Sequence, residues 1–167
     1  MTTRLTMEIQ SVPYVNVEPL MADLAQAGLQ VGGTGSKVRP VVSCKGTTCQ
    51  YGLIDTFALS DKLHKLFYEG YHEVSLPHKF KLAVGGCPNN CVKPDLNDLG
   101  IIGQRAPALD ADKCRGCKKC QVEDACPIRS AHLEAGKLDF GESCNHCGRC
   151  VGQCPFQAVS AGVNGYK

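Results

Sequence analysis

The stretch KFKLAVGGCPNNC, Lys79–Cys91, joins an apolar segment to two closely spaced cysteines. Apolar and basic residues alternate along its first half, which predicts a β-strand with two unlike faces. The apolar face carries Phe80, Leu82 and Val84, and the basic face carries Lys79 and Lys81. The strand ends at Cys87, and three residues separate it from Cys91. This spacing differs from the C-x-x-C of a redox dithiol, so both cysteines need other partners.

Cysteine is the most informative residue type, with 12 copies among 167 residues. The first ten residues, MTTRLTMEIQ, lack the apolar run of a secretory signal, and no later segment reaches eighteen apolar residues. We therefore predict a cytoplasmic protein without membrane insertion. In a reducing compartment, such a cysteine density favours bound metal over disulfides.

Charge and glycine spacing exclude two other classes of partner. The formal net charge is only +2, and no cluster of five or more Lys and Arg occurs, so we predict no nucleic-acid binding. The glycines of GGTGSK, residues 32–37, do not have the spacing of a P-loop. A loop around a cofactor carboxylate is a better interpretation of this segment than a nucleotide site.

Residues 114–127 and 144–155 form an internal repeat, CRGCKKCQVEDACP and CNHCGRCVGQCP. Both copies contain C-x-x-C-x-x-C and a later Cys-Pro. The first three cysteines recur at an offset of 30 residues and the fourth at an offset of 28. Three thiolates within seven residues can bind one iron–sulfur cube, while the fourth cysteine, followed by proline, leads towards the other cube.

Crossed ligation between the two copies is therefore expected. One [4Fe-4S] cluster is assigned to Cys114, Cys117, Cys120 and Cys154, and the other to Cys144, Cys147, Cys150 and Cys126. Residues 110–161 resemble bacterial two-cluster ferredoxins, with two extra residues between Cys120 and Cys126. A pair of zinc sites is the alternative, but zinc sites seldom space a third cysteine in this way.

The other four cysteines are Cys44, Cys49, Cys87 and Cys91, and the segments around them predict how they meet. Alternation in RLTMEIQ, residues 4–10, predicts a half-buried strand. Residues 18–28 predict a helix, and VRPVVSC, residues 38–44, predicts a strand that ends at Cys44. Apolar residues at helical spacing after Cys49 predict a helix whose N-terminus lies near that cysteine and favours an anionic cluster.

The segments RPVVSCKGTTCQYGLID and LPHKFKLAVGGCPNNCVKPDLNDLGIIG, together with the ferredoxin-like insertion, resemble the sirohaem and [4Fe-4S] domain of sulfite and nitrite reductases. The anaerobic and dissimilatory sulfite reductase branch has the most similar pattern. The resemblance implies an α+β fold, in which residues 1–107 form a sirohaem reductase-type α/β domain, incomplete at both ends. Residues 108–162 are implied to form an inserted ferredoxin-like domain with two [4Fe-4S] clusters, and residues 163–167 a tail.

The same resemblance implies roles for the basic residues and for one cysteine. Cys91, the last cysteine of the C-x(3)-C pair, is implied to bridge its cluster to the sirohaem iron. Lys79, Lys81 and Arg4 are implied to bind the oxyanion and to help deliver protons, although Leu5 stands where the family usually has Gln. Without the resemblance, the lysines would be interpreted as a solvated strand face and Arg4 as an exposed residue near the chain terminus.

Sirohaem carboxylates are implied to lie near the glycine-rich loop and the following strand, at Thr34, Gly35 and Arg39. The implied function is that of a sulfite or nitrite reductase component that reduces the anion at a sirohaem coupled to a [4Fe-4S] cluster. Two ferredoxin-type clusters would supply electrons from a donor such as a ferredoxin or a reductase subunit, in a homo- or hetero-oligomer. The alternative is an electron-transfer protein that has lost sirohaem and retains clusters alone.

Overall fold

A computed structural model describes residues 1–167 and contains a mixed α/β fold. In chain order its main elements are α1 (Val17–Gln26), β1 (Val42–Ser43), α2 (Thr56–Leu63), β2 (Leu82–Gly85), β3 (Leu99–Leu109), α3 (Gln121–Asp124), β4 (Ala131–Glu134), β5 (Lys137–Phe140) and β6 (Val159–Tyr166). Short 3-10 turns cover Tyr14–Asn16, Gly46–Thr48 and Pro94–Leu96, and a π-helical turn, His64–Glu69, continues α2. None of the helices has the length and apolarity needed to cross a bilayer.

A four-stranded sheet in the order β1-β2-β3-β6 is the frame of the molecule. The pairs β1–β2 and β2–β3 are parallel, whereas β3–β6 is antiparallel. Central strand β2 is buried on both faces, and Leu82, Ala83 and Val84 are almost inaccessible to solvent. Because β1 and β2 run in the same direction, their carboxyl ends lie side by side at the same end of the sheet.

Residues 110–158 leave the sheet after β3 and return to it through β6. They contain the β4–β5 hairpin and, with Val159 of β6, a small core of Val122, Ala131, Leu138, Cys150 and Val159. The predicted domain boundaries at residues 107 and 162 fall inside β3 and β6, and the predicted tail, residues 163–167, contains the end of β6. Residues 110–158 are called the insert below, and the strands at both of its ends are hydrogen-bonded within the four-stranded sheet.

The strand predicted over residues 4–10 is wrong. This segment has no strand partner, and Leu5 has a positive φ of 62°. Leu5, Met7 and Ile9 are all exposed, so the alternation does not mark a buried face. The Arg4 side chain fixes the segment instead, because it donates hydrogen bonds to the carbonyl oxygens of Pro40 and Leu82.

The helix predicted over residues 18–28 is confirmed as α1, and Gly28 follows it with a φ of +75°. The strand predicted over residues 38–44 is confirmed only at Val42–Ser43, with an isolated bridge from Val38 to Phe80. Pro40 lies between these two pairings, and a proline has no N–H to donate to a sheet.

The prediction that Cys49 lies near a helix N-terminus is wrong. Cys49 directly follows the 3-10 turn, whereas α2 begins at Thr56. Asp55 caps α2, because its carboxylate accepts hydrogen bonds from the N–H groups of Phe57 and Ala58. The predicted two-faced strand over residues 78–86 is confirmed only in part, since β2 covers Leu82–Gly85 and is buried on both faces.

Candidate metal centres

Four cysteines, the inner group, lie around the carboxyl ends of β1 and β2: Cys44, Cys49, Cys87 and Cys91. Cys44 directly follows β1, and Cys87 follows β2 after one glycine. Two glycines allow the strand ends to meet, because a Cβ on Gly86 would lie only 2.8 Å from the Cα of Gly46. The N–H of Gly86 also donates to the Cys44 sulfur at 3.1 Å.

The electrostatics of the inner group indicate that its four sulfurs share one region. Burial is the main effect that raises the pKa of the Cys87 thiol, and a backbone hydrogen bond at Asn89 opposes it. Negative charge on Cys91, Cys44 and Cys49 raises the pKa further. Thiols placed in this way ionise together only when a cationic centre neutralises them, which is what an iron–sulfur core does.

A second set of four cysteines, the second-motif group, consists of Cys126, Cys144, Cys147 and Cys150. All four line one small, largely apolar cavity, so the structure brings Cys126 from the first repeat copy to the second copy. Burial first, and then Cys147, Cys144 and Cys126, raise the pKa of the Cys150 thiol to about 11. The N–H groups of Ser130 and Ala131 point to the Cys126 sulfur at 3.2 and 3.4 Å.

The remaining cysteines form the first-motif group: Cys114, Cys117, Cys120 and Cys154. Cys114, Cys120 and Cys154 pack against the core of the insert, and Cys117 is half-buried. The two copies share a backbone feature, because Gly116 and His146, at equivalent positions, have φ values of 58° and 52°. The two copies therefore share a left-handed backbone position between their first and second cysteines.

Single metal ions do not suit these groups. No three or more His, Cys, Asp and Glu side chains converge closely enough to hold one ion. A zinc ion needs all its thiolates at about 2.3 Å from a single point. A four-iron cluster instead offers each thiolate its own iron, so its ligands can surround a larger volume. The donor set fits iron–sulfur clusters better than it fits zinc.

Arg4 lies against the backbone of the inner sheet. Its terminal nitrogens donate to the carbonyl oxygens of Pro40 at 2.7 Å and Leu82 at 2.9 Å, and to Asn97 Oδ1 at 2.9 Å. Burial first, and then the guanidinium of Arg39, lower the pKa of Arg4, while Asp98 opposes the shift. Arg4 remains charged because arginine does not lose its proton in proteins.

Lys79 is exposed and Lys81 is half-buried, on either side of Phe80. Phe80 forms the bridge to Val38, so the two lysines flank a paired position on an extended segment. The backbone N–H of Lys81 donates to the Asp98 carboxylate at 2.7 Å. Sequence reasoning missed Asp98, which is 17 residues away from Lys81 and carries no motif.

The three residues implied to face sirohaem carboxylates lie close together in the sequence, but no single contact joins all three. Arg39 donates to the carbonyl oxygen of Gly33 at 2.7 Å, which ties the strand region to the glycine-rich loop. Thr34 and Gly35 belong to that loop, and Gly35 is exposed. Cys91 is the only exposed residue among the twelve cysteines.

Residues 34–131 match the nitrite and sulphite reductase 4Fe-4S domain family. The chain belongs to that family. It is 33% identical over 133 residues to a coenzyme F420-dependent sulfite reductase of Methanocaldococcus jannaschii, covering 79% of this chain and 20% of that protein. It is 40% identical over 93 residues to one subunit of an anaerobic sulfite reductase of Salmonella typhimurium, covering 55% of this chain and 24% of that subunit.

The crystal structure of a dissimilatory sulfite reductase I has a similar fold, with a TM-score of 0.60 and 23% identity, over 91% of this chain and 41% of that chain. The chain thus spans between about a fifth and two fifths of these relatives. Family membership establishes a sulfite reductase-type iron–sulfur protein with at least one iron–sulfur cluster.

Proposed function

We propose that this chain is the electron-transferring and anion-binding part of a sulfite reductase, which reduces sulfite or nitrite at a sirohaem. The observation that carries the proposal is the inner group, where four cysteines around the carboxyl ends of β1 and β2 share one region. This group is suited to the [4Fe-4S] cluster of the family.

The predicted ferredoxin-like domain, residues 108–162, is proposed to hold two further [4Fe-4S] clusters. The second-motif group supports this, because its cysteines come from both repeat copies and line one cavity. The chemistry of the donor set supports it too, since four adjacent thiols in a partly apolar site need a cationic core to ionise. The first-motif group completes the pair.

The fit of sirohaem rests on two orphaned donors. The Nε atoms of Arg4 and Arg39 are buried, and neither has a hydrogen-bond partner. Each guanidinium is close enough to the other for Arg39 to lower the pKa of Arg4. Two adjacent cations with buried, unsatisfied donors suit an anionic partner, and carboxylates are the anionic groups of this cofactor.

Sirohaem, when bound, supplies an open iron at which a small oxyanion can be reduced. Cys91 is the exposed cysteine of the inner group and is the proposed contact with the cofactor. Lys79, Lys81 and Arg4 are proposed to bind the oxyanion. The two lysines are proposed to donate protons as its oxygens leave as water, which lysine does more readily than arginine. Arg39, with Thr34 and Gly35, is proposed to hold the cofactor carboxylates.

The visible spectrum of the anaerobically purified protein tests this proposal. We expect sirohaem absorption in addition to the broad absorption of iron–sulfur clusters, and sulfite-dependent oxidation of a reduced viologen dye. A protein with clusters but without sirohaem absorption, even after reconstitution with the cofactor, would instead support the electron-transfer alternative. Sulfite is the preferred substrate, and comparison of sulfite with nitrite under the same conditions tests that preference.

A further inference from the structure

The second repeat copy lies directly against the four-stranded sheet. The N–H of Arg105, on β3, donates to the carbonyl oxygen of His146 at 2.7 Å, and Arg105 forms a β-bridge with Cys147. The side-chain amide of Gln104 donates to the carbonyl oxygen of Asn145 at 3.4 Å. Three consecutive residues of the second copy, 145–147, are therefore fixed to β3.

One side-chain hydrogen bond joins the two cysteine motifs themselves. Arg149 Nη2 donates to Asn89 Oδ1 at 2.7 Å. Arg149 lies between Cys147 and Cys150, and Asn89 lies between Cys87 and Cys91. The loop that carries second-motif ligands is thus bonded to the loop that carries inner-group ligands.

An aromatic contact adds to this bond. The Arg149 guanidinium lies 5.5 Å from the centroid of the Tyr51 ring, and Tyr51 follows Cys49 by two residues. Arg149 therefore contacts both chain segments that supply the inner group. Because the hydrogen bond between Arg149 and Asn89 is exposed, the contact contributes little to stability, and its main effect is to position the two loops.

A cavity of about 440 Å³ lies beside this contact and is lined by both Cys87 and Cys147. Its charged lining residues are Arg105 and Arg149, and no Asp or Glu lines it. Four thiolates around each cluster leave a negative charge on both sides of the gap. The two arginines lower the electrostatic cost of holding those charges close together.

The first repeat copy makes no equivalent contact. Lys119 occupies the position in CRGCKKC that Arg149 occupies in CNHCGRC, and its side chain is exposed. The cation–π contact in this region, of Arg115 with Phe156 at 4.3 Å, stays within the insert. No side-chain hydrogen bond joins residues 111–120 to the four-stranded sheet.

We propose that Arg149 is a positioning residue that sets the electron pathway from the second-motif group to the inner group. This inference rests on the proposed function. An external one-electron donor, of the reduced ferredoxin class, reduces the first-motif cluster. Each electron then passes to the second-motif cluster and on to the inner cluster, so that one centre is oxidised as the next is reduced.

Freeze-quench EPR of the anaerobic holoprotein tests the order and the role of Arg149. The protein is reduced with a fast one-electron reductant, and the inner signal is assigned by its absence in Cys49→Ser. In Arg149→Gln, we expect the inner signal to appear several-fold more slowly, because the rate of electron transfer falls steeply as two centres move apart. The signals of the other two clusters should appear at the parent rate.

Lys119→Gln is the matched control, since it removes a cation from the equivalent position of the other copy. It should leave all three rates unchanged. Arg149→Lys keeps a donor for Asn89 but loses the planar contact with Tyr51, and should give an intermediate rate. The magnetic interaction between the inner and second-motif clusters in the fully reduced protein should weaken in Arg149→Gln, which a purely structural defect in one cage would not reproduce.

Three outcomes would overturn the inference: an unchanged inner rate in Arg149→Gln, equal slowing in Lys119→Gln, or no magnetic interaction between these two clusters in the parent protein. If Arg149→Gln fails to take up its clusters, Asn89→Ala removes the same bond from the other side and must reproduce the slowing. A parent protein that holds only the inner cluster refutes the proposed function instead, so the two failures are distinguishable.

Discussion

Removal of one buried hydroxyl should loosen the inner group selectively. Thr56 is completely buried behind Cys44. Its hydroxyl donates to the carbonyl oxygen of Cys44 at 2.8 Å and accepts a hydrogen bond from the N–H of Thr47 at 3.1 Å. Thr56→Val keeps the shape of the side chain but removes both bonds, together with the 3.2 Å hydrogen bond between the Thr47 and Thr56 hydroxyls.

The expected cost follows from these bonds. A buried group left without its partner loses about 1–3 kcal/mol. The Ser43 hydroxyl lies 3.2 Å from the Cys44 carbonyl oxygen but also 3.3 Å from the Thr56 carbonyl oxygen, so its one proton replaces the lost donor only in part. We therefore expect a local destabilisation of about 2 kcal/mol, which corresponds to roughly thirtyfold in an opening equilibrium.

Iron release to a chelator under anaerobic conditions measures this opening. In Thr56→Val, the inner cluster, about four irons, should be lost roughly thirtyfold faster if opening limits release. The clusters of the insert should be lost at the parent rate. Thr48→Val is the control, because its exposed hydroxyl donates only to the nearby Lys45 carbonyl at 3.2 Å. Equal release from the parent protein and Thr56→Val would refute the role of this hydroxyl.

Four other predictions test the site and the fold. The anaerobic protein should contain about twelve irons and twelve sulfides, and about eight of each would leave one group empty. Lys79→Met and Lys81→Met should each lower sulfite turnover about tenfold or more with sirohaem absorption retained. Turnover at the parent rate in both variants would show that the two lysines are ordinary solvated residues. Gly148→Ala should lower the thermal midpoint of unfolding more than Gly152→Ala. Both glycines have positive φ, but only a Cβ at Gly148 would meet a side chain, the Cδ of Arg105 at 3.0 Å. Asp55→Ala should lower the midpoint, whereas Asp55→Asn should retain the helix cap.

Cysteine spacing predicted more of this molecule than hydrophobic alternation did. The crossed pattern in the repeat predicts that Cys126 belongs with the second copy, and the structure brings it there. Spacing is informative because three cysteines within seven residues restrict the loop strongly, whatever the rest of the chain does. The helix over residues 18–28 was also predictable, since its length and terminal glycine are local signals.

Alternation failed where no partner strand exists. Residues 4–10 have a strand-like pattern, but they pair with no strand of the sheet, and the hydrogen bonds of the Arg4 side chain hold the segment instead. The helix start was predicted too early in the chain, because the residue that caps the helix, Asp55, lies six residues after Cys49. The contacts of Asp98 and Arg149 depend on residues far apart in the chain, which no local pattern encodes.

The path of the chain through the sheet has a consequence for the insert. β3 pairs in parallel with β2 along one edge and in antiparallel fashion with β6 along the other, and β6 carries the chain back from the insert. Arg105, near the middle of β3, also bridges to Cys147. A displacement of the second copy would therefore disturb the strand adjacent to β2, after which Cys87 follows. Insertion between two paired strands, rather than attachment through a linker, holds the two sets of cysteines at a fixed separation, as the proposed electron transfer between them requires.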